Sequence, residues 1–370
     1  MTGRERLLKA IKLESVDRVP VSTFPLLPPP PGTESKFSPE LNDLLDYTYE
    51  NTDLLFPWGY ELMANAREND LLEIKTWKEG SSTYKRTVLH TPGKDLTSLE
   101  RRDDSVNTNW LLEPLLKDVD DIDKYLSIPF ELKKDERVFS EFERRKSFVG
   151  SRGIIYTDLG DPVGWACTLL GFETFLSEFM LNRQKILKLM DALFERQFEA
   201  LRFGLESGAG EMFRLQGAEY ASPPFVDPEL FPLLVNRYDG KFVEIIHDSG
   251  RLAAMHCHGN LKPILFHILD MNVDAVEPVE PPPDGDITLV EAKRLMQGNA
   301  CVMGNLEFRE LEFADTTRID MLVKKSMDEA KEGYGYVIMP SASPIVYDVS
   351  RVMIENYFKF INTALLYGKY

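Results

Sequence analysis

Five histidines occur in the 370 residues, and two of them, His256 and His258, stand one residue apart in the stretch RLAAMHCHGN. In a β-strand, residues two apart project to the same side. The two imidazoles therefore share one face, and Cys257 points the other way, into the layer between sheet and helices. Two rings at a strand end are either buried polar neighbours or the first two ligands of a metal. The residue types alone leave both readings open. The next apolar stretch, VDAVEPVEPPPDGD, places Glu277 and Glu280 where the chain leaves the sheet, beside three prolines. Carboxylates rarely stay buried without a partner, so an arginine, a helix start or a bound cation must answer for them. Two imidazoles and a carboxylate are a ligand set of catalytic zinc with one position left open. The same set accepts iron(II), manganese or cobalt.

Other polar side chains stand at other strand ends. Glu219 and Tyr220 lie in LQGAEYASPPF, Asp158 in the YTDLGD loop, Asn305 in MGNLE, and Ser341 and Ser343 in MPSAS. Glu219 completes a metal shell, binds substrate, or caps a helix. Asp158 is a second candidate for handling a proton or orienting a substrate. Tyr220 and Phe225 form an aromatic wall, with Phe24 and Trp165 as further apolar candidates.

These positions need a frame that brings several strand ends together. From Gly150 onward, short apolar runs alternate with amphipathic stretches: GIIYTD, GEMFRLQG, RLAAMHCHG, VDAVEPVE, NACVMGNLE and YGYVIMPSA are separated by helical segments. Near-continuous apolar strands with helices between them signal a parallel sheet covered on both faces. No G-x-G-x-x-G turn follows any strand, which removes the main sign of a dinucleotide fold. A closed (β/α)8 TIM barrel assembles its site from several strand ends. It is the expected fold: a single α/β domain over residues 1–370. Residues 1–150 carry an N-terminal helical and hairpin extension with the first barrel elements. Residues 151–370 carry the main run of β/α units. In the first part, GRERLLKAIKLE predicts a helix and DRVPVSTF a strand. PLLPPPPGTESKFSPE predicts a rigid irregular connector. A hairpin is expected from Thr76 to Arg102, and helix from Asp118 to Ser147.

Composition narrows the function. The formal charge is −17, which argues against a nucleic-acid partner. No apolar run reaches the roughly 18–20 residues of a membrane span, and the charged N-terminus lacks the apolar core of a secretory signal. Three scattered cysteines suit a reducing cytoplasm. A small molecule or another protein is the expected partner.

Four stretches, RERLLKAIKLESVDRVPV, HCHGN, MGNLE and VIMPSASPI, together resemble the uroporphyrinogen decarboxylase superfamily over essentially the whole chain, most clearly from Phe213 onward. The resemblance implies a (β/α)8 barrel and one of two chemistries: cofactor-free decarboxylation of porphyrinogens, or zinc-dependent methyl transfer with corrinoid proteins. The decarboxylases carry an arginine-rich stretch after the RVPV strand. Here that region is STFPLLPPPPGTESK, without arginine, so the grip on a polycarboxylate is missing. The methyltransferases carry a His-x-Cys pair where this chain has His256 and His258, and a later cysteine near the position of Ser343. Both thiolates are thus replaced. The spacing from His258 to Glu280 resembles that of the acidic ligand in related zinc enzymes, which favours Glu280 over Glu277. GAEY, HCHG and EPPPDGD resemble a branch found beside corrinoid proteins, with O-demethylase methyltransferases as its nearest activity. The resemblance implies a cytoplasmic, zinc-dependent methyltransferase with His256, His258 and Glu280 as ligands. Glu219 and Asp158 would be catalytic, and Tyr220, Phe225 and Ser343 would bind substrate. Its donor is a small methylated compound, an aryl methyl ether by preference, and its acceptor is cobalamin on a separate corrinoid protein. A corrinoid-free lyase and a catalytically silent binding barrel are the alternatives.

Overall fold

The computed structural model describes residues 1–30, 32–33, 37–60, 65–68, 70–135 and 137–370. Eleven strands run through these residues: β1 (Leu54–Trp58), β2 (Leu72–Glu79), β3 (Ser82–Thr91), β4 (Lys94–Asp103), β5 (Asn109–Glu113), β6 (Gly153–Gly160), β7 (Met212–Gln216), β8 (Leu252–Cys257), β9 (Ala275–Pro278), β10 (Cys301–Leu306) and β11 (Tyr336–Pro340). Seven form one parallel sheet in the order β1-β6-β7-β8-β9-β10-β11. From β6 onward each strand pairs with the next in the chain, so the C-terminal ends lie along one curled rim. The helices between them include Arg183–Glu206, Arg237–Asp248, Leu289–Met296 and Thr316–Ala330.

The expected strand in DRVPVSTF is not a regular strand. Pro20 has no N–H to donate, and Val21 forms an isolated parallel bridge with Ile338 of β11. Ser22 N–H donates to the Ile338 carbonyl at 3.0 Å, and Ile338 N–H to that of Pro20 at 3.0 Å. On the other side, Asp53 N–H donates to the Val21 carbonyl at 2.7 Å. Residues 20–22 thus touch both edges of the sheet, and the architecture is a curled seven-stranded parallel sheet with helices.

Alternation along the strands divides the core in two. Met212, Ala254, Ala275, Cys301, Met303 and Val337 pack with one another inside the curl. Phe213, Leu215, Met255, Cys257 and Val276 pack with the helices outside. Cys257 is fully buried on the outer side, as the alternation predicts. Asp158 lies within β6 rather than in a loop after it, because the strand continues to Gly160 before Asp161 caps the next helix.

The hairpin expected at Thr76–Arg102 is larger, a four-stranded antiparallel sheet in the order β2-β3-β4-β5. Leu89 and Leu96 anchor it to the main core. The charged stretch after Asp118 holds two helices, Val119–Leu126 and Arg137–Val149. Positions 31 and 34–36 of the expected proline-rich connector lie outside the described residues. No helix among the described residues is long and apolar enough to cross a membrane.

Candidate active site

The rim of C-terminal strand ends carries two linked polar clusters. In the inner one, β6, β7, β8 and β9 each aim a side chain into the curl. The register sets Asp158 beside Arg214, Gln216 beside His256 and His256 beside Glu277. Arg214 Nε donates to Glu277 Oε1 at 2.5 Å, and Nη1 to Asp158 Oδ1 at 3.2 Å. The Gln216 amide also donates to Asp158 Oδ1, at 2.5 Å. The Arg214 guanidinium lies over Phe24, 5.4 Å from the ring centroid, and over Tyr156 at 6.0 Å. Glu277 is 1% exposed. Burial alone would raise its pKa, but Arg214 and His256 override it and hold the carboxyl well below the usual range. The Asp158 carboxyl, on a side chain 49% exposed, is pushed upward by desolvation against the pull of Arg214.

His256 Nδ1 lies 2.9 Å from Glu277 Oε1 and 2.9 Å from Arg214 Nη2. A carboxylate only accepts and a guanidinium only donates, so one contact at a time is a hydrogen bond and the choice sets the tautomer.

The outer cluster is more open. His258 Nδ1 is 2.8 Å from Glu280 Oε1, and Gly259 N–H donates to Glu280 Oε2 at 2.8 Å. Burial opposes charge on both partners, yet their mutual contact raises the His258 pKa and lowers that of Glu280. The rings of His256 and His258 stand 4.6 Å apart at 87°. Beyond β10, Glu307 is pushed up to about 7 by burial, then by the charges of Glu280 and Asp284. Its Oε1 is buried without a hydrogen-bond partner.

His258 opens onto a cavity of about 490 Å³ that Glu219, Tyr220, Phe225, Phe172 and Asp284 also line, a size typical of small-molecule pockets. The turn after β7 positions Glu219. Gly217 adopts φ +132, where a Cβ would fall 1.9 Å from Asp161 Oδ1, and its N–H donates to Glu219 Oε2 at 3.1 Å. Phe172 packs 5.4 Å from Tyr220 and 4.9 Å from Phe225, at 89° to the latter.

The expected site residues thus fall in three places. His258, Glu219, Tyr220 and Phe225 share the cavity, with Glu280 held on His258. His256 and Asp158 belong to the inner cluster with Glu277. Ser343 is half-buried and does not line the cavity; Ser341 is the serine that touches this region, 3.4 Å from Glu307. Phe24 packs on Arg214 and Tyr156, and Trp165 stands against Gly160, both away from the cavity. Sequence reasoning missed Arg214, Phe172 and Glu307. The signal for Arg214 was a lone charge on the inward face of an apolar strand.

The donors are of the types zinc takes, two imidazoles and the Glu280 carboxylate, with His256 in the inner cluster and His258 and Glu280 in the outer one, the two rings in contact. A carboxylate on Nδ1 is also the way a ligating histidine is oriented. Among the described residues no three His, Cys, Asp or Glu side chains form a ready-made cage.

Comparison with known proteins agrees with this frame. The family model described as Uroporphyrinogen decarboxylase (URO-D) matches residues 109–363. No curated protein gives a significant match. Among solved structures, a methyltransferase from Methanosarcina mazei is similar in fold with a TM-score of 0.65 at 18% identity, covering 99% of each chain. A Bacillus subtilis mannanase is a weaker likeness at TM-score 0.44 and 11% identity, covering 94% of this chain and 87% of that one. With the family model spanning most of the sheet and every strand end that builds the site, the chain belongs to the uroporphyrinogen decarboxylase family.

Proposed function

We propose that this protein is a methyltransferase that moves a methyl group from a small methylated donor to cob(I)alamin carried by a separate corrinoid protein. The observation that carries the reading is the meeting of Glu219 and His258, with Glu280 bound to the His258 ring, at one cavity with aromatic walls. An aryl methyl ether is the donor class that the resemblance implies, and the walls suit a ring. The missing arginines after Val21 speak against a polycarboxylate tetrapyrrole. The resemblance to methyltransferases at HCHG and GAEY supports the acceptor. In the same reading, residues 20–22 are the eighth stave of a (β/α)8 barrel.

His256, His258 and Glu280 would hold zinc, which supplies Lewis acidity toward the donor's heteroatom when bound. The chain's own residues do the remaining work. Arg214 and Glu277 fix the ring of His256, while Gly259 N–H fixes Glu280. Phe172, Tyr220 and Phe225 exclude water around the methyl group and orient it toward the open mouth. Asp158, whose Oδ1 accepts from Gln216 and Arg214, would orient the donor or supply a proton.

Metal content tests the site. Protein purified without added metal is analysed by inductively coupled plasma mass spectrometry, beside His256→Ala and His258→Ala. About one zinc per chain in the wild type, lost in both variants, is the expected result. A wild type that takes up no zinc even after incubation with it would overturn the ligand assignment.

A further inference from the structure

The charge of the cavity's lining bears on which methylated donor it takes. Three aromatic side chains wall it, and among the described residues no lysine or arginine lines it. Glu219 accepts a hydrogen bond from Gly217 and has no cationic partner among the described residues. Asp284, also in the lining, is paired with Arg309 outside the cavity at 2.5 Å.

Elsewhere this chain covers aromatic faces with its own cations. Arg196 lies over Tyr125 and Phe130, Arg214 over Phe24 and Tyr156, and Lys241 over Phe194. Among the described residues, no cation lies over Phe172, Tyr220 or Phe225. Phe225 is 56% exposed although it is large and apolar, and it stands at right angles to Phe172. Perpendicular rings beside an unpaired carboxylate attract a cation through the negative faces of the rings and the charge of Glu219. A neutral ring would gain apolar contact there but nothing from Glu219.

We propose that this cavity binds a methylated quaternary ammonium compound, with Phe172, Tyr220 and Phe225 as the cage and Glu219 as the counter-charge. The proposal rests on the methyltransferase reading of the same site for its reaction, but not for binding. A quaternary head has no N–H to satisfy, which suits walls made of rings and prolines. In the transfer, the C–N bond breaks with its electron pair left on nitrogen. The methyl carbon bonds to the acceptor's nucleophilic Co(I) through the cobalt's electron pair. The leaving tertiary amine is neutral and needs no proton. Because a quaternary nitrogen has no lone pair for a metal, a zinc held by His256, His258 and Glu280 would act on a hydroxyl elsewhere on the ligand.

Binding is measured by isothermal titration calorimetry on the full chain without any acceptor, using choline, its neutral isostere 3,3-dimethyl-1-butanol, and anisole. Choline is expected to bind about tenfold or more tightly than the isostere. Glu219→Gln and Phe225→Leu, checked for folding by circular dichroism, should each lose about tenfold for choline and little for anisole. Equal binding of choline and isostere, anisole binding in preference, or a Glu219→Gln variant that binds choline like wild type would each overturn the proposal. Methyl transfer with either donor is scored separately. Choline binding without any transfer would count against the methyltransferase reading and leave the cation site standing.

Discussion

Replacing Arg214 by methionine strands Glu277, whose side chain is 1% exposed and whose strongest partner is the Arg214 guanidinium, itself 13% exposed. The Asp158 arm of the network is 49% exposed and contributes only about 0–1 kcal/mol, as for other solvent-screened pairs. The cost therefore comes from Glu277. Removing one partner of a buried ion pair destabilises by about 3–5 kcal/mol. Glu277→Gln should cost less, about 1–3 kcal/mol, because Arg214 keeps Asp158 and the amide keeps a hydrogen bond. The double variant should fall short of the sum by about 0.5–3 kcal/mol, since the two groups interact directly. The pH dependence follows from the depressed Glu277 pKa. In the wild type its contribution is present above the ordinary value of 4.5 and is lost as pH falls below it. Without Arg214 the buried carboxyl takes a proton at higher pH, so the penalty in Arg214→Met shrinks as pH is lowered. Urea denaturation followed by circular dichroism, at neutral and mildly acidic pH, measures all four proteins. An Arg214→Met cost under about 0.5 kcal/mol at neutral pH, far below the range for a buried pair, would refute the reasoning. So would strict additivity.

Three further outcomes are expected. Glu307 is raised from 4.5 to about 7, so the folded state retains its proton longer than the unfolded chain. Stability should therefore fall as pH rises across that interval, and Glu307→Gln should flatten the slope in denaturation curves. Gly217→Ala places a side chain at φ +132 and 1.9 Å from Asp161; a loss of about 1–3 kcal/mol is expected, together with weakened ligand binding because the turn carries Glu219. In metal-free protein, Glu280→Gln should lower the His258 pKa by removing the contact that raises it, read by ring-proton nuclear magnetic resonance. An unchanged titration would show that Glu280 does not hold the ring.

Much of the frame was legible because parallel strands announce themselves as apolar runs between helices. The inward projection of His256 and outward projection of Cys257 followed from period two alone. The co-location of Glu219, Tyr220 and Phe225 with His258 followed from strand-end placement. What pairing does to charge was not legible. Glu277 and Glu280 look alike in VEPVE, yet one is locked under Arg214 and the other is held by His258 and the Gly259 N–H. That difference depends on β7 lying beside β8, a contact 42 residues apart in sequence for Arg214 and His256. Phe172 was equally hidden, since it reaches the cavity from the helix Phe172–Leu181 rather than from a strand end. The segment after Asp17 misled for a local reason, because proline interrupts the hydrogen bonding that a regular strand requires.

The central claim is methyl transfer at the His258 cavity, and it is tested most directly by anaerobic incubation of the zinc-loaded chain with cob(I)alamin and a donor. Choline and a methoxylated aromatic are run in parallel, and the cobalamin spectrum is followed. Donor-dependent conversion to methylcobalamin by the wild type, abolished in a folded His258→Ala variant, is the predicted result. No conversion with either donor, or conversion that survives in His258→Ala, would contradict it.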